Sequence, residues 1–298
     1  VTVRRIAYKE LEGAGRLGNQ LWEIASTLGF ARAHDTEPLF PETWSYRPWF
    51  SLPDDWFGDD AAIRRAWPAQ KFSSLPGIQV HYLQQWEYIR WVMPEVQEAF
   101  TPSLHAGVKL LNHLADTHQG YLLELADDPS VITLHVRRGD ALNPETHPRG
   151  TWPTVTMDYY QAALSILDFD LESPIVVFSD DPAWCEENMA PFIGEEGHYV
   201  HSGPTRPPDY EPENYKAAEP MDWIDLQLMG MFNRHIIANS TYSLWGAMLG
   251  PGPTVYPDNW VGFRCRSAVP EESTMVPPEW VQVHNPVAEE ELHAVRPR

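Results

Sequence analysis

The chain has 298 residues, 43% of them hydrophobic, and 42 Asp and Glu against 21 Lys and Arg give a formal net charge of −21. That composition supports a packed core and excludes wholesale disorder, while an acidic field of this size repels polyanions and so argues against nucleic acid or anionic membranes as partners. No run approaches the roughly 20 apolar residues a membrane helix needs, there is no apolar signal core at the start, and Cys185 and Cys265 have no metal spacing; the expectation is a soluble, cytoplasmic protein in a reducing compartment.

Taken in order, residues 6–11 read as a strand, followed by a glycine loop and a helix over 19–33. Leu21, Ile24, Ala25 and Leu28 form one apolar face of that helix. Residues 38–68 are rich in Pro and Trp and show little periodicity. A short strand is expected over 80–84, and helical pattern dominates 95–124. The turn Asp127-Asp128-Pro129-Ser130 marks a domain boundary, dividing the chain into 1–127 and 128–298.

The second half alternates more regularly. Strands are predicted over 131–136, 174–178, 235–238 and 254–256, with helices over 157–167, after Pro182, over 221–232 and over 242–249. This alternation implies an α/β fold with a parallel sheet and helices on both faces. Ligands of such sheets bind beyond the carboxyl ends of the strands. Three predicted strands end in polar clusters there: H-V-R-R-G-D at 135–140, F-S-D-D at 178–181 and A-N-S-T-Y-S at 238–243. The Pro- and Glu-rich segment 202–220 reads as a surface loop, with a lid or acceptor-binding segment as the functional alternative.

Gly13, Gly15 and Gly18 spell G-x-G-x-x-G after an apolar run, the outline of a dinucleotide-binding turn. That scheme requires an acidic residue at the end of the second strand, about 20 residues on. Asp35 and Glu37 stand at the right distance but precede the strand-like run 38–40, and Asn19-Gln20 has no role in it. The NAD-dependent oxidoreductase reading is therefore left as a minor alternative.

Arg137 and Arg138 leave the end of a buried strand in a chain short of positive charge. Guanidinium groups match phosphate oxygens and do not lose their protons. A surface pair bridged to Asp140 is the plainer reading, but the position favours an anion site. Asn239, Ser240 or Thr241 supplies a helix cap, and the same geometry leaves N–H groups for phosphate. Asp180 and Asp181 cap the next helix or accept hydrogen bonds from a base or ribose.

Together, G-R-L-G-N-Q at 15–20, H-V-R-R-G-D at 135–140, F-S-D-D at 178–181, and D-L-Q-L-M with A-N-S-T-Y-S-L-W-G-A-M-L across 225–249 resemble the α-1,2-fucosyltransferase family, glycosyltransferase family 11. H-Y-L-Q-Q-W-E-Y-I at 81–89 and V-Y-P-D-N-W at 255–260 extend the resemblance in family order. It implies a GT-B-like pair of Rossmann-like domains with a cleft between them, the first facing the acceptor and the second binding the donor. It implies inverting transfer of L-fucose from GDP-β-L-fucose to a glycan acceptor, forming an α-1,2 linkage to a galactoside, with no metal and no further cofactor. A different GDP-sugar, a different linkage, or nucleotide or glycan binding without turnover are the alternatives.

By the same resemblance Arg137 grips the diphosphate with support from Arg138 and His135. Ser240, Thr241 and the neighbouring Asn239 and Ser243 would hold phosphate oxygens, and Ser179, Asp180 and Asp181 would meet the guanosine. Gly18, Asn19 and Gln20 would line the donor site from the first domain. Glu145, ten positions after His135, is the candidate base, with Asp140 its competitor.

Overall fold

The computed structural model describes residues 5–13, 15–74, 82–142, 153–169, 173–194, 197–200, 221–260 and 274–286. Two compact units emerge, Val1–Asp116 with Ser267–Pro278 and Thr117–Arg266 with Glu279–Arg298. Each contains its own parallel sheet, so the α/β class expected from the alternation is the class found.

In the first unit the strands are β1 (Ile6–Ala7), β2 (Pro38–Pro41), β3 (Phe57–Gly58) and β4 (Trp67–Pro68), in the order β3-β2-β1-β4. Ile6 lies opposite both Pro38 and Trp67. The strand expected over 6–11 contracts to two residues because pairing with β2 and β4 ends at Ala7. Two-residue strands such as β3 and β4 carry no alternation, so the sequence between 38 and 68 conceals them. Of the strand expected at 80–84, residues 80 and 81 lie outside the described residues. Residues 82–84 are not a strand: Leu83 has φ +54°, and its carbonyl accepts the Ser26 hydroxyl at 2.8 Å.

Helix α1 (Leu17–Ala33) begins two residues before the predicted start and is buried on nearly every side. It is therefore a core helix rather than a half-exposed one. Gly29 admits the chain after it: a Cβ there would stand 2.0 Å from the Tyr88 carbonyl oxygen. Helices α2 (Asp60–Arg65), α3 (Trp86–Ile89), α4 (Met93–Ala99) and α5 (Leu104–Asp116) also belong to this unit. An Asp59 carboxylate accepting the Ala62 N–H caps α2.

Among the described residues the second unit has six parallel strands: β5 (Ile132–Val136), β6 (Ile175–Ser179), β7 (His198–Val200), β8 (His235–Ile236), β9 (Thr254–Pro257) and β10 (Val281–Val283). Their order is β7-β6-β5-β8-β9-β10. Every residue of β5, β6 and β9 is buried, as expected for a parallel sheet covered on both faces. The edge strands β7 and β10, three residues each, were not legible from periodicity. Helices α6 (Tyr121–Ala126), α7 (Met157–Ile166), α8 (Pro182–Ile193), α9 (Asp222–Met229) and α10 (Thr241–Leu249) follow the predicted positions.

The chain builds outward from β5 to β7, then returns to lay β8, β9 and β10 on the other side of β5. Such a reversal leaves a crevice beyond the carboxyl ends of the two central strands, here β5 and β8. Two neighbouring tyrosines of α7 secure that edge. Tyr160 donates to the His135 carbonyl at 2.9 Å, and Tyr159 to the carbonyls of Ile237 and Val255 at 2.7 and 3.2 Å. Both are buried, so their polar ends are satisfied by strand-end carbonyls, as buried hydroxyls require. A further link joins β5 to β8, the Thr133 hydroxyl and His235 Nδ1 at 2.8 Å. Burial pushes the His235 imidazole down to about 4, so it is neutral at pH 7 and serves the sheet.

Glu23 is the costly residue of α1. It is fully buried and its carboxyl oxygens have no well-formed hydrogen bond; the nearby Tyr8 hydroxyl offsets the loss of water only in part. Burial pushes its carboxyl up to about 10, so the acid is held neutral. The folded-state value lies above the ordinary 4.5 of a glutamate, so the ionisation penalty is absent below that pH and progressively destabilises the fold as pH rises toward 10. Glu23→Gln should therefore stabilise the protein by up to about 3 kcal/mol near pH 7. In urea unfolding, the gap between variant and wild type should widen between pH 5 and pH 8; a constant gap would contradict the neutral-acid account.

Candidate functional site

The carboxyl edge of the second sheet gathers the three polar clusters because β5, β6 and β8 are adjacent in it. Arg137 and Arg138 follow β5 directly and diverge. Arg137 reaches toward β8, where its Nη1 donates to the Asn239 carbonyl at 3.3 Å. That bond crosses the switch point between β5 and β8. Arg138 leans toward β6, its Nε donating to Asp181 Oδ2 at 3.1 Å and its guanidinium lying 3.7 Å from the centroid of the Trp184 ring. Its backbone N–H donates to Asp180 Oδ1 at 2.8 Å. His135 is buried one residue before the end of β5, with its ring 5.8 Å from that of Tyr242.

The F-S-D-D cluster is therefore the anchor of the second arginine. Ser179 Oγ accepts the Asp181 N–H at 2.9 Å, and Asp181 Oδ1 accepts the Trp184 N–H at 3.3 Å as the cap of α8. Capping and ion pairing thus fall on different oxygens of one carboxylate. Asp180 is exposed, and a Cβ at Gly139 would come within 2.5 Å of its Oδ2, so the carboxylate would have to turn.

Beyond β8, Ser240 caps α10, its Oγ accepting the Tyr242 N–H at 3.3 Å. The first turn of α10, which begins at Thr241, thus sits at the same edge as Arg137. Two predicted members face inward instead. Asn239 sends its amide to the carbonyls of Pro153 and Trp260 at 2.7 and 3.2 Å, and Ser243 Oγ donates to the carbonyls of Ala238 and Ser240 at 3.4 and 3.2 Å. Their side chains shape the loop, and their neighbours face the edge. Asp140 opens a short helical turn, and Glu145 lies outside the described residues. Among the described residues, no group of three or more His, Cys, Asp and Glu could hold a metal ion, and no helix is long and apolar enough to cross a membrane.

In the first unit, Gly18, Asn19 and Gln20 form the first turn of α1. Gln20 is buried, donating to the Gly15 carbonyl at 3.0 Å and accepting the Trp44 indole N–H at 2.8 Å. Asn19 Oδ1 accepts the Gln84 amide at 2.9 Å. Gly15 has φ +89°, and a Cβ there would stand 2.2 Å from Asn19 Nδ2. The glycine turn is thus closed by Asn19 and Gln20, side chains that the dinucleotide scheme leaves without a role.

Sequence reasoning missed Trp184, the α7 tyrosines and Glu23. It also missed the amide network behind V-Y-P-D-N-W, in which Asn285 Oδ1 accepts the Thr156 N–H and hydroxyl at 2.8 and 3.0 Å while its Nδ2 donates to Asn259 Oδ1 at 2.8 Å. Only Trp184 had a readable signal, as the third residue after the helix-capping Asp181.

Comparison with known proteins gives a match to the model of glycosyl transferase family 11 over residues 64–284. The chain is similar to galactoside alpha-(1,2)-fucosyltransferase 2 of Mus musculus, 27% identical over 273 residues, spanning 84% of this chain and 70% of that protein. It is also similar to the O-antigen biosynthesis glycosyltransferase WbnK of Escherichia coli, 31% identical over 182 residues, spanning 59% of this chain and 54% of that protein. Among solved structures, a crystal structure of NodZ alpha-1,6-fucosyltransferase co-crystallised with GDP aligns with a TM-score of 0.38 at 14% identity, over 84% of this chain and 94% of that one, a likeness too slight to inform the site.

The Gly139–Asp180 contact yields a mutational cycle. Gly139→Ala displaces the Asp180 carboxylate and breaks its bond to the Arg138 N–H, at a cost of about 1–2 kcal/mol. In an Asp180→Ala background the added methyl has no carboxylate to displace, so Gly139→Ala should cost less than about 0.5 kcal/mol there. Additive costs in thermal unfolding would show that Gly139 is needed for another reason.

Proposed function

The chain belongs to glycosyl transferase family 11, and from that premise we propose that it transfers L-fucose from GDP-β-L-fucose to a galactoside hydroxyl, forming an α-1,2 linkage with inversion. The observation that carries this reading is Arg137 at the switch point, a permanent cation within 3.3 Å of the Asn239 carbonyl and one residue before the Ser240 cap of α10. Backbone N–H groups at a helix start and an adjacent guanidinium form an anion site. In a chain of net charge −21, positive charge for an anion has to be concentrated locally.

In the proposed reaction the acceptor oxygen attacks C1 of fucose from the face opposite the diphosphate. The bond from C1 to the β-phosphate oxygen breaks, and GDP departs with one additional negative charge. Arg137 and the first turn of α10 stabilise that charge, which develops most fully in the transition state. Arg138 supplies a second cation, oriented by Asp181. Asp180, exposed and with only one oxygen engaged by the Arg138 N–H, is suited to accept N–H donors of the guanine. The acceptor's proton goes to a carboxylate, for which Glu145 and Asp140 are the sequence candidates. The arginines make a metal unnecessary for the leaving group, and the first unit is assigned to the acceptor.

GDP release from GDP-β-L-fucose, measured in EDTA with lactose and other β-galactosides, tests the proposal. Release should depend on acceptor and should fall by roughly 100-fold or more in Arg137→Ala, the scale expected for one preorganised stabilising group. GDP binding without release would point to another donor sugar or acceptor. Absence of GDP binding would overturn the reading.

A further inference from the structure

Arg138 is held on three sides. Its backbone N–H is bonded to Asp180 Oδ1 at 2.8 Å, its Nε to Asp181 Oδ2 at 3.1 Å, and one face of its guanidinium lies 3.7 Å from the Trp184 ring centroid. Trp184 stands in the first turn of α8, half-buried and packed against the core of the second unit. Its own N–H is bonded to Asp181 Oδ1 at 3.3 Å. One carboxylate therefore fixes both the turn that carries the indole and the guanidinium that lies on it.

A guanidinium flat against an aromatic face is attracted by the ring's quadrupole. With the face occupied and Nε tied, the remaining freedom of the group is small. Neither Nη of Arg138 hydrogen-bonds among the described residues, so the Nη edge is left to donate to two oxygens of a phosphate in the forked geometry arginine favours. An arginine fixed beforehand loses less freedom on binding than one that must be ordered by the ligand.

We infer that Trp184 is a positioning residue for donor binding, its indole presenting Arg138 pre-oriented to the diphosphate of a nucleoside diphosphate. The inference rests on the donor reading above and adds a residue that no motif named. Trp184 acts through Arg138, not by touching the ligand.

Calorimetric titration of the whole chain with GDP tests it in four variants: Trp184→Phe, Trp184→Leu, Arg138→Ala and the Arg138→Ala/Trp184→Leu double variant. Trp184→Leu should weaken GDP binding about three- to tenfold, in line with the loss of one cation–π contact. Trp184→Phe, which keeps an aromatic face, should stay within about twofold of wild type. In the Arg138→Ala background, Trp184→Leu should have no further effect beyond about twofold. Circular dichroism verifies folding, and Trp184→Met replaces Trp184→Leu if the latter does not fold. Equal weakening in both backgrounds, or wild-type affinity in Trp184→Leu, would overturn the inference while leaving the donor reading intact. Failure of the wild-type chain to bind GDP would instead overturn the donor reading, and this inference with it.

Discussion

Arg137 and Arg138 leave β5 toward opposite neighbours, one to the Asn239 carbonyl beyond β8 and the other to Asp181 beyond β6. Giving each of two adjacent cations its own acceptor eases their mutual repulsion, and the order of the sheet allows it. β5 lies between β6 and β8, and the chain reverses direction across it. Much of the surrounding detail serves this divergence: the α7 tyrosines bonded to strand-end carbonyls, the Ser240 cap of α10, and the closeness of Gly139 to Asp180.

The division also separates two electrostatic tasks. Arg138 is paired with a carboxylate and stacked on an indole, so it is an arginine of fixed geometry whose charge is partly balanced. Arg137 is bonded through Nη1 to the neutral Asn239 carbonyl on the β8 side. Both bring positive charge to the edge where an anion would arrive. A metal-free transfer of a sugar from a nucleotide needs such a charge, placed where the departing diphosphate becomes more negative.

The second unit was largely legible in the sequence, since β5, β6 and β9 are fully buried runs separated by helical periodicity. The clusters that follow β5, β6 and β8 could be named because polar residues at the end of an apolar run stand out. Strands of two or three residues, β3, β4, β7 and β10, have no period to detect and are defined by partners distant in sequence. Asn239 and Ser243 illustrate a different limit. Composition identifies a polar residue at a strand end, but whether its side chain turns outward or ties down a loop depends on neighbours such as Pro153 and Trp260. Glu23 was hidden for a related reason: a single acid within a helix reads as solvated until packing shows that α1 is buried on nearly every side. The glycine loop matched a motif without its partner residue; Gly15 takes the left-handed turn, and Asn19 and Gln20 close it.

The most direct measurement is a crystal structure of the chain grown with GDP. The account predicts the diphosphate within hydrogen-bonding distance of the Arg137 guanidinium and the first-turn N–H groups of α10, with the Arg138–Trp184 stack retained. GDP bound elsewhere, with Arg137 still bonded to Asn239 and no anion at the carboxyl edge of β5, would contradict it.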